Sequence, residues 1–331
     1  MRYRGLGNSG LKVSVVGLGG NTFGRSVDAD GAAQIVRAAL DSGINFFDTA
    51  DVYGRGASEE LYGRALAGQR DRAVLATKVH GTMGDGPNDR GSSRQHIMDG
   101  VHASLRRLKM EHIDLLQLHA WDSETPLEES LGALNDLVRQ GKVRYIGCSN
   151  FAAWQLVWSL WTSDRRHWAP LVSVQPEYSL LVRDVEDELL PACQTFGIGV
   201  IPYFPLAAGV LTGKYQAGQP APPGTRGHQN ERFQRRFATP HNLEVTRRLE
   251  AWARERGHSV AELAIAWLLA RPAVATVITG VTKPEQVQAN ARAAEWELTP
   301  AEVEEVAALA PRERATLVNQ QPFQPAPVPR A

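Results

Sequence analysis

The hydrophobic pattern of the chain is a series of short apolar runs separated by longer amphipathic stretches. Most neighbouring runs lie roughly 25 to 40 residues apart, which is the length of a strand followed by a helix. The runs predict strands at residues 13–18, 44–47, 73–77, 113–118, 143–146, 171–174, 199–201 and 275–278. A series of about eight strand–helix units predicts an α/β fold, a single closed (β/α)8 TIM barrel.

Local signals mark where the intervening helices begin and end. Three segments have the pattern of a capping box, namely Thr125–Glu128, Thr299–Glu302 and Ser259–Glu262, and the first two also place proline at the first helical position. Gly43 and Gly141 follow helical stretches where a left-handed residue is favoured. These signals predict helices between the strands.

Two segments fall outside the repeating pattern. Residues 216–240 are rich in Gly, Pro, Gln and Arg. They predict a long mobile loop, which in a barrel would lie at the C-terminal face as a lid or a cofactor strap, although plain surface disorder is as compatible with the composition. Residues 316–331 are rich in proline and predict an extended tail. We therefore expect one domain over residues 1–315, followed by the tail.

Composition narrows the class of partner. Lys plus Arg and Asp plus Glu both number 36, so the formal net charge is zero and nothing favours nucleic acid or an anionic membrane. Cys148 and Cys193 cannot form a disulfide framework, and no Cys or His spacing fits a metal site. The N-terminus lacks the apolar core of a signal peptide, and no run has membrane-spanning length. We expect a cytoplasmic protein that binds a small molecule.

Polar side chains follow three of the predicted strands. Asp48 ends the run at residues 44–47 and Tyr53 follows five residues later, while Lys78 and His119 follow two further runs. Each could have an ordinary structural role: Asp48 as a helix cap, Tyr53 as a packed aromatic, Lys78 as a surface amine, His119 as a histidine satisfied by backbone. In a barrel, however, these strand ends converge on one rim. Their coincidence therefore predicts a catalytic group.

The four residue types together suit the protonation of a carbonyl oxygen. A phenol is a poor acid at neutral pH unless a neighbouring cation stabilises the phenolate, and Lys78 would be that cation for Tyr53. Asp48 would hold the ammonium in place, and His119 would orient a substrate carbonyl by a hydrogen bond. None of these groups supplies a hydride, so a reductase would need a nicotinamide cofactor.

Here the chain resembles the aldo/keto reductase superfamily over nearly its whole length. The resemblance rests on Gly10–Ser14 with Gly17–Gly19, Asp48–Gly54, Ala76–Lys78 and Gln117–His119. It implies an N-terminal β-hairpin and extra helices around the barrel. It also implies a catalytic tetrad of Asp48, Tyr53, Lys78 and His119, in which hydride passes from the nicotinamide to a small aldehyde or ketone while Tyr53 gives the proton.

The resemblance further implies a set of cofactor-binding residues along the rim: Gly20, Asn21, Thr22, Asp48, Ser149, Asn150, Gln175, Tyr203, Phe204, Pro205, Leu206, Gly209, Leu211, Lys214, Ile278, Gly280, Thr282, Lys283, Gln286 and Asn290. Judged as single residues, some of them could have purely structural roles. Ser149 or Asn150 could cap a helix that begins near Phe151, and Tyr203 could simply pack. Thr282 with Glu285 could form an ordinary capping box.

The residues expected near the adenosine 2′-phosphate depart from the pattern of many relatives. Gln286 stands where they have arginine, and Gly280 stands where they have lysine. Lys283 could restore part of the charge. The resemblance implies NADPH as cofactor, with NADH as the alternative.

Two other functions compete with an enzyme of this family. A Rossmann dehydrogenase would need GxGxxG, but residues 17–22 lack the last glycine. The potassium-channel β-subunits share the fold and tetrad, so a regulatory NADP(H)-binding module is the main alternative. The substrate is set by loops over the rim, where an apolar pocket could include Phe23, Trp121, Trp154 and Phe233, each of which could equally pack in the core.

Overall fold

The computed structural model describes residues 1–312 apart from 217, 226 and 229. Within these residues the strands are β1 Tyr3–Gly5, β2 Lys12–Ser14, β3 Val16–Gly19, β4 Phe46–Asp48, β5 Val74–Val79, β6 Ile113–Leu118, β7 Val143–Ser149, β8 Leu171–Gln175, β9 Gly199–Val200 and β10 Val277–Gly280. The α-helices are α1 Ala29–Asp41, α2 Ala57–Ala65, α3 Arg94–Leu108, α4 Leu127–Arg139, α5 Ala153–Arg166, α6 Leu189–Phe196, α7 Glu231–Arg236, α8 Pro240–Glu255, α9 Val260–Leu269, α10 Pro284–Ala293 and α11 Pro300–Leu309.

The described strands β3 to β10 form one eight-stranded parallel sheet in the order β10-β3-β4-β5-β6-β7-β8-β9. The two ends of this order meet through a parallel bridge between Val200 and Val274, and the amide of Ile278 donates to the carbonyl of Pro202 at 3.0 Å. The sheet is therefore a closed (β/α)8 barrel, as the strand–helix spacing predicts.

The first predicted strand, residues 13–18, is in fact two strands. The chain bends at Val15, so that β2 pairs antiparallel with β1 while β3 enters the barrel. The amide of Val15 donates to the carbonyl of Arg2 at the junction. The sequence conceals this change of partner, because Val13 and Ser14 of β2 and all of β3 are buried and no turn residue separates the two strands.

The β1–β2 hairpin seals one end of the barrel. Leu6 and Val13 are fully buried and pack with Phe46 and Leu115 of the barrel interior. Gly7 sits at a φ of +56°, and a Cβ there would lie 2.3 Å from the carbonyl oxygen of Val172, so the close approach requires glycine. The catalytic candidates lie at the opposite end, where the strands terminate.

The predicted helix signals have different outcomes. The boxes at Ser259 and Thr299 form, with each hydroxyl accepting from the amide three residues on, and Gly43 and Gly141 are left-handed. The box at Thr125 is wrong: α4 begins after Pro126 without a side-chain cap, and the Thr125 hydroxyl donates to Asp122 at 2.7 Å instead. The Thr125 hydroxyl thus binds the carboxylate of Asp122 and does not cap α4.

The segment of residues 216–240 is not simply a loop. It contains α7, whose first turn is capped by the side chain of Asn230, and Phe233 anchors this helix in the core. The predicted tail, residues 316–331, lies outside the described residues, and the division into a domain of residues 1–315 and a tail stays a prediction. Among the described residues, none of the helices combines the length and apolarity needed to cross a membrane.

Candidate active site

The centre of the site is a buried ion pair between Asp48 and Lys78. Asp48 is the last residue of β4 and Lys78 lies in β5, and the pairing of these parallel strands brings the side chains together inside the barrel. The Lys78 ammonium donates to both carboxylate oxygens, at 2.8 and 2.7 Å, and to the carbonyl of Thr49 at 2.8 Å. All three ammonium protons therefore have an acceptor.

The Asp48 carboxylate also accepts from two glutamines of the barrel interior. Gln175 donates to Oδ1 at 2.8 Å and Gln117 donates at 3.4 Å. Burial alone would lower the pKa of Lys78, but the Asp48 carboxylate and Tyr53 raise it above its usual value. The lysine is thus charged at neutral pH despite full burial.

Tyr53 approaches this pair from the turn after β4. Its hydroxyl lies 3.5 Å from the Lys78 ammonium, and its ring is 5.8 Å from the His119 ring in an edge-on arrangement. The turn brings it there because Gly54 and Arg55 adopt left-handed conformations. Burial raises the pKa of Tyr53 above its ordinary value, while Lys78 acts in the opposite direction. The phenol is therefore protonated at neutral pH.

His119 lies directly beyond β6, on the same rim. Burial, together with the positive charge of Lys78 and the neighbouring His80, lowers the pKa of His119 to about 3. The imidazole is therefore neutral at physiological pH and has one N–H to donate. The structure thus brings the four predicted catalytic residues together.

A second group of polar residues continues from the catalytic candidates along the strand ends. The Asn150 amide donates to the carbonyl of His119 at 2.9 Å and accepts from the Tyr203 hydroxyl at 2.9 Å. Ser149 donates to the carbonyl of Gln175 at 2.8 Å. Neither Ser149 nor Asn150 caps α5, whose N-cap is Ala152, so that interpretation is wrong.

These residues line a cavity of about 790 Å³ at the C-terminal end of the barrel. Most of the predicted cofactor residues lie on its wall: Asn21, Thr22, Asp48, Ser149, Asn150, Gln175, Tyr203, Phe204, Pro205, Leu206, Gly209, Lys214, Ile278, Gly280, Thr282, Lys283, Gln286 and Asn290. Tyr53 and His119 share this wall. Gly20 and Leu211 are not part of it, and their contact with a cofactor stays a prediction.

The far end of the cavity is formed by the N-terminus of α10. The Gln286 side chain folds back so that its Oε1 accepts from the amides of Thr282 and Lys283, at 2.7 and 3.2 Å. The predicted box of Thr282 with Glu285 is therefore wrong, since Gln286 provides the cap. Two amides at this helix terminus are thereby already satisfied within the chain.

Sequence reasoning missed several residues of the wall. Arg25, Thr212, Thr225 and Ala261 line the cavity although they are not among the predicted cofactor-binding residues. Arg25 was the one with a readable signal, since it is a lone cation just after the Gly-rich end of β3. Thr212 lies between the predicted residues Leu211 and Lys214, and Thr225 lies in the segment 216–240 that could form a cofactor strap. Ala261 has no such signal in the sequence.

The four aromatics considered for an apolar pocket lie elsewhere. Phe23 is buried against Tyr62, and Phe233 is buried against Tyr215. Trp121 and Trp154 pack on one another, with ring centroids 5.5 Å apart. None of the four lines the cavity among the residues that the structure describes.

Comparison with known proteins agrees with this geometry. The model of the Aldo/keto reductase family matches residues 15–311. The chain is 40% identical to a "Probable voltage-gated potassium channel subunit beta" of Arabidopsis thaliana, over 88% of this chain and 91% of that protein. It is 36% identical to an "L-glyceraldehyde 3-phosphate reductase" of Escherichia coli, over 88% and 87% of the two chains. It is 33% identical to a "Versiconal hemiacetal acetate reductase" of Aspergillus parasiticus, over 92% and 95%.

Proposed function

The chain belongs to the aldo/keto reductase family, and from that premise we propose that it reduces the carbonyl group of a small aldehyde or ketone with hydride from NADPH. Tyr53 would be the general acid. The observation that carries the proposal is the Tyr53 hydroxyl, which lies on the cavity wall 3.5 Å from the buried ammonium of Lys78. Relatives named as reductases support an oxidoreductase.

The proton transfer follows from the environment of Tyr53. Because burial raises its pKa, the phenol holds its proton until a stronger demand arises on the substrate oxygen. When the proton moves to that oxygen, the phenolate left behind faces the Lys78 ammonium, whose charge stabilises it. Asp48 keeps the ammonium in position through both carboxylate oxygens.

His119 would position the substrate. A neutral imidazole donates a hydrogen bond to the carbonyl oxygen without placing a second cation beside Lys78. Its ring packs edge-on against that of Tyr53, and both residues line the cavity. The carbonyl oxygen would thus receive one hydrogen bond from His119 and one from Tyr53.

The cavity lining suits a nicotinamide dinucleotide. Ser149, Asn150 and Gln175 offer hydroxyl and amide groups near the catalytic residues, which match a carboxamide. Lys214 and Lys283 offer amines toward the other end, which match phosphates. The Oδ1 atom of Asn21 is buried without a hydrogen-bond partner among the described residues. Such a cofactor, when bound, supplies the hydride that accompanies the proton of Tyr53.

The direct test is a screen of NADPH oxidation over aldehydes, ketones and sugars, repeated with NADH. We expect absorbance loss at the nicotinamide band with at least one class of carbonyl. Failure of every carbonyl with both cofactors would refute the enzyme assignment.

Tyr53→Phe tests the role of the acid. We expect kcat to fall by about 10³-fold or more, since the variant lacks a group that acts in the transition state, while the Kd for NADPH changes by less than about twofold. Tyr3→Phe is the matched control, because it removes an exposed phenol that donates to Gly43 far from the site. Unchanged turnover in Tyr53→Phe would show that another group is the acid.

A second candidate function is a regulatory NADP(H)-binding module, favoured by the relative named as a potassium channel β-subunit. Both candidates predict cofactor binding, so binding does not separate them. Turnover does: an enzyme oxidises NADPH with a carbonyl in many cycles, whereas a regulatory module binds NADPH tightly and turns over very slowly.

A further inference from the structure

Arg25 is an unpaired cation on the wall of the cavity. Its side chain is exposed, and its guanidinium has no hydrogen bond or ion pair among the described residues. The nearest acid along the chain, Asp28, accepts instead from the amide of Gly31 at 2.9 Å, where it caps α1. The N–H donors of Arg25 are therefore available to a ligand in the cavity.

The turn that carries Arg25 is fixed by hydrogen bonds and by burial. The carbonyl of Thr22 accepts from the amides of Arg25 and Val27, at 3.2 and 3.1 Å. The Thr22 hydroxyl donates to the carbonyl of Val281 at 2.8 Å, and the side chain of Phe23 is fully buried. The backbone of Arg25 is thus held in place, so that only its side chain has to be ordered when a ligand binds.

This turn packs directly against the turn that carries Tyr53. A Cβ on Gly54 would lie 3.3 Å from the carbonyl oxygen of Phe23 and 3.5 Å from that of Gly24. Arg25 follows one side of this contact and Tyr53 precedes the other, and both line the same cavity. The free guanidinium therefore belongs to the part of the wall that also holds the proposed acid.

The wall of the cavity has an excess of positive charge. Asp48 is its sole acidic residue in the described part of the chain, and the Lys78 ammonium neutralises it at 2.7 Å. The cations of the wall are Arg25, Lys214 and Lys283. The proposed function assigns the two lysines to the phosphates of the cofactor. Arg25 is left over, and its charge suits a negative group on the other ligand, the substrate.

We propose that Arg25 is a specificity-determining residue that binds an anionic group of the substrate, so that the carbonyl compounds reduced at this site carry a phosphate or a carboxylate. A guanidinium binds either group through two parallel hydrogen bonds. The inference rests on the proposed function, in which Tyr53 and His119 bind the carbonyl oxygen. The substrate would then be held at two points, by its carbonyl and by its charge.

Matched pairs of substrates test the preference for an anion. Glycolaldehyde phosphate is compared with glycolaldehyde, and succinic semialdehyde with butanal, so that the phosphate and the carboxylate are examined separately. We expect the kcat/KM of wild type to be at least about tenfold higher for the charged member of one or both pairs. If the neutral aldehydes are reduced as efficiently as both charged ones, this inference fails while the proposed function stands.

Arg25→Met tests whether this residue is responsible for the preference. It should raise the KM for the preferred charged aldehyde at least about tenfold with kcat nearly unchanged, because the anionic group does not react. Arg25→Lys keeps the charge but not the planar pair of donors and should recover part of the loss. Arg37→Met, at an exposed arginine on α1, is the matched control. Equal changes for charged and neutral aldehydes in Arg25→Met would contradict the assignment.

Binding measurements separate this role from a cofactor contact and need no turnover. The NADPH-loaded protein is titrated calorimetrically with ethyl phosphate and with propionate, which have no carbonyl group to reduce. The Kd for at least one of them should rise about tenfold or more in Arg25→Met and stay constant in Arg37→Met. The Kd for NADPH, from fluorescence titration, should change by less than about twofold in Arg25→Met.

Two results of these titrations would overturn the proposal. One is that wild type binds neither anion when it is loaded with NADPH. The other is that Arg25→Met raises the Kd for NADPH and leaves the Kd for both anions unchanged, which would assign the guanidinium to the cofactor. Because neither result depends on catalysis, the binding test decides the role of Arg25 even if no carbonyl compound is turned over.

Discussion

At the scale of single residues, Asp51 is a buried carboxylate beside the proposed site that none of the proposed steps uses. Its Oδ1 accepts from the amide of Val52 at 2.7 Å, while Oδ2 is buried without a partner among the described residues. Burial, together with the charge of Glu59, raises the pKa of Asp51 to about 7. Folding therefore favours the protonated form of this group.

The raised pKa of Asp51 predicts a loss of stability on the alkaline side. The folded protein holds this proton up to a higher pH than the unfolded chain, so the free energy of unfolding falls as pH rises from about 4 to about 7 and is level above. In Asp51→Asn this fall disappears. The unfolding free energy of Asp51→Asn minus that of wild type should therefore rise by about 2–3 kcal/mol, in favour of the variant, between pH 5 and pH 8.

Urea denaturation at both pH values measures this difference. The comparison of two pH values removes any fixed cost of the substitution itself. Asp85→Asn, at an exposed position, is the control. Its unfolding free energy should differ from that of wild type by the same amount at both pH values. A parallel pH dependence in Asp51→Asn and wild type would contradict the assignment of the proton to Asp51.

The position of Gln286 leads to a second prediction, which concerns the preference between NADPH and NADH. Its side chain caps the amides of Thr282 and Lys283 and brings no positive charge to that end of the cavity. Gln286→Arg should lower the Kd for NADPH about tenfold and leave that for NADH nearly unchanged, because only NADPH has a 2′-phosphate to pair with the guanidinium.

Fluorescence titration with each cofactor measures the two dissociation constants without turnover. Gln140→Arg adds the same charge at an exposed position at the end of α4 and controls for net charge. If Gln286→Arg lowers the Kd for NADH and the Kd for NADPH equally, the 2′-phosphate does not bind near residue 286.

Single residues also show how much of the proposed site can be predicted from the sequence. Asp48, Lys78 and His119 could be placed on one rim because each follows an apolar run whose direction is fixed by the barrel. The capping role of Gln286 could not, because a glutamine there can face the cavity or its own helix. Arg25 gives only the signal of a lone cation after the Gly-rich end of β3, which does not by itself indicate a cavity.

At the scale of elements, the left-handed residues that end helices give a clean test of backbone strain. Gly141 ends α4 at a φ of +72°, and nothing lies within 4 Å of an added Cβ. Gly141→Ala should therefore lower the free energy of unfolding by about 1 kcal/mol through backbone strain alone.

Gly10 provides a matched control for Gly141. It too has nothing within 4 Å of an added Cβ, but its backbone is not left-handed. Gly10→Ala should be close to neutral when both variants are compared by urea denaturation. Equal losses in the two variants would mean that strain is not the cause.

The helix signals succeeded where the cap and its partner are adjacent in sequence, as at Ser259 and Thr299. They failed at Thr125 and at Asn150, because Asp122 takes the first side chain and both His119 and Tyr203 take the second. A capping pattern predicts which bonds the local sequence allows. Tertiary contacts decide which of them form.

At the scale of the whole molecule, the hairpin and the proposed site are at opposite ends of the barrel. Leu6→Ala should lower the free energy of unfolding by about 2–5 kcal/mol, because the side chain is fully buried in the barrel interior and leaves a cavity. Activity per folded molecule should not change. Leu11→Ala, at a half-buried position of the same hairpin, should cost less.

Chemical denaturation and steady-state kinetics on the same preparations would measure both effects. A large loss of kcat in Leu6→Ala at temperatures where the protein is folded would show that the two ends of the barrel are coupled. The barrel itself was predictable from the spacing of apolar runs. The turn at Val15, which separates the hairpin from β3, was not, because no polar residue interrupts that run strongly enough to mark two strands.

The Asp48 carboxylate also links several strands of the barrel wall. Through Lys78, Gln117 and Gln175 it joins side chains of β4, β5, β6 and β8 at a single point. Removing its charge would leave a buried ammonium without a counter-ion, at a cost of about 3–5 kcal/mol in comparable pairs. Under the proposed function, a stable but inactive protein for ligand-binding work is therefore better made at Tyr53, which can lose its hydroxyl without breaking the contacts of Asp48.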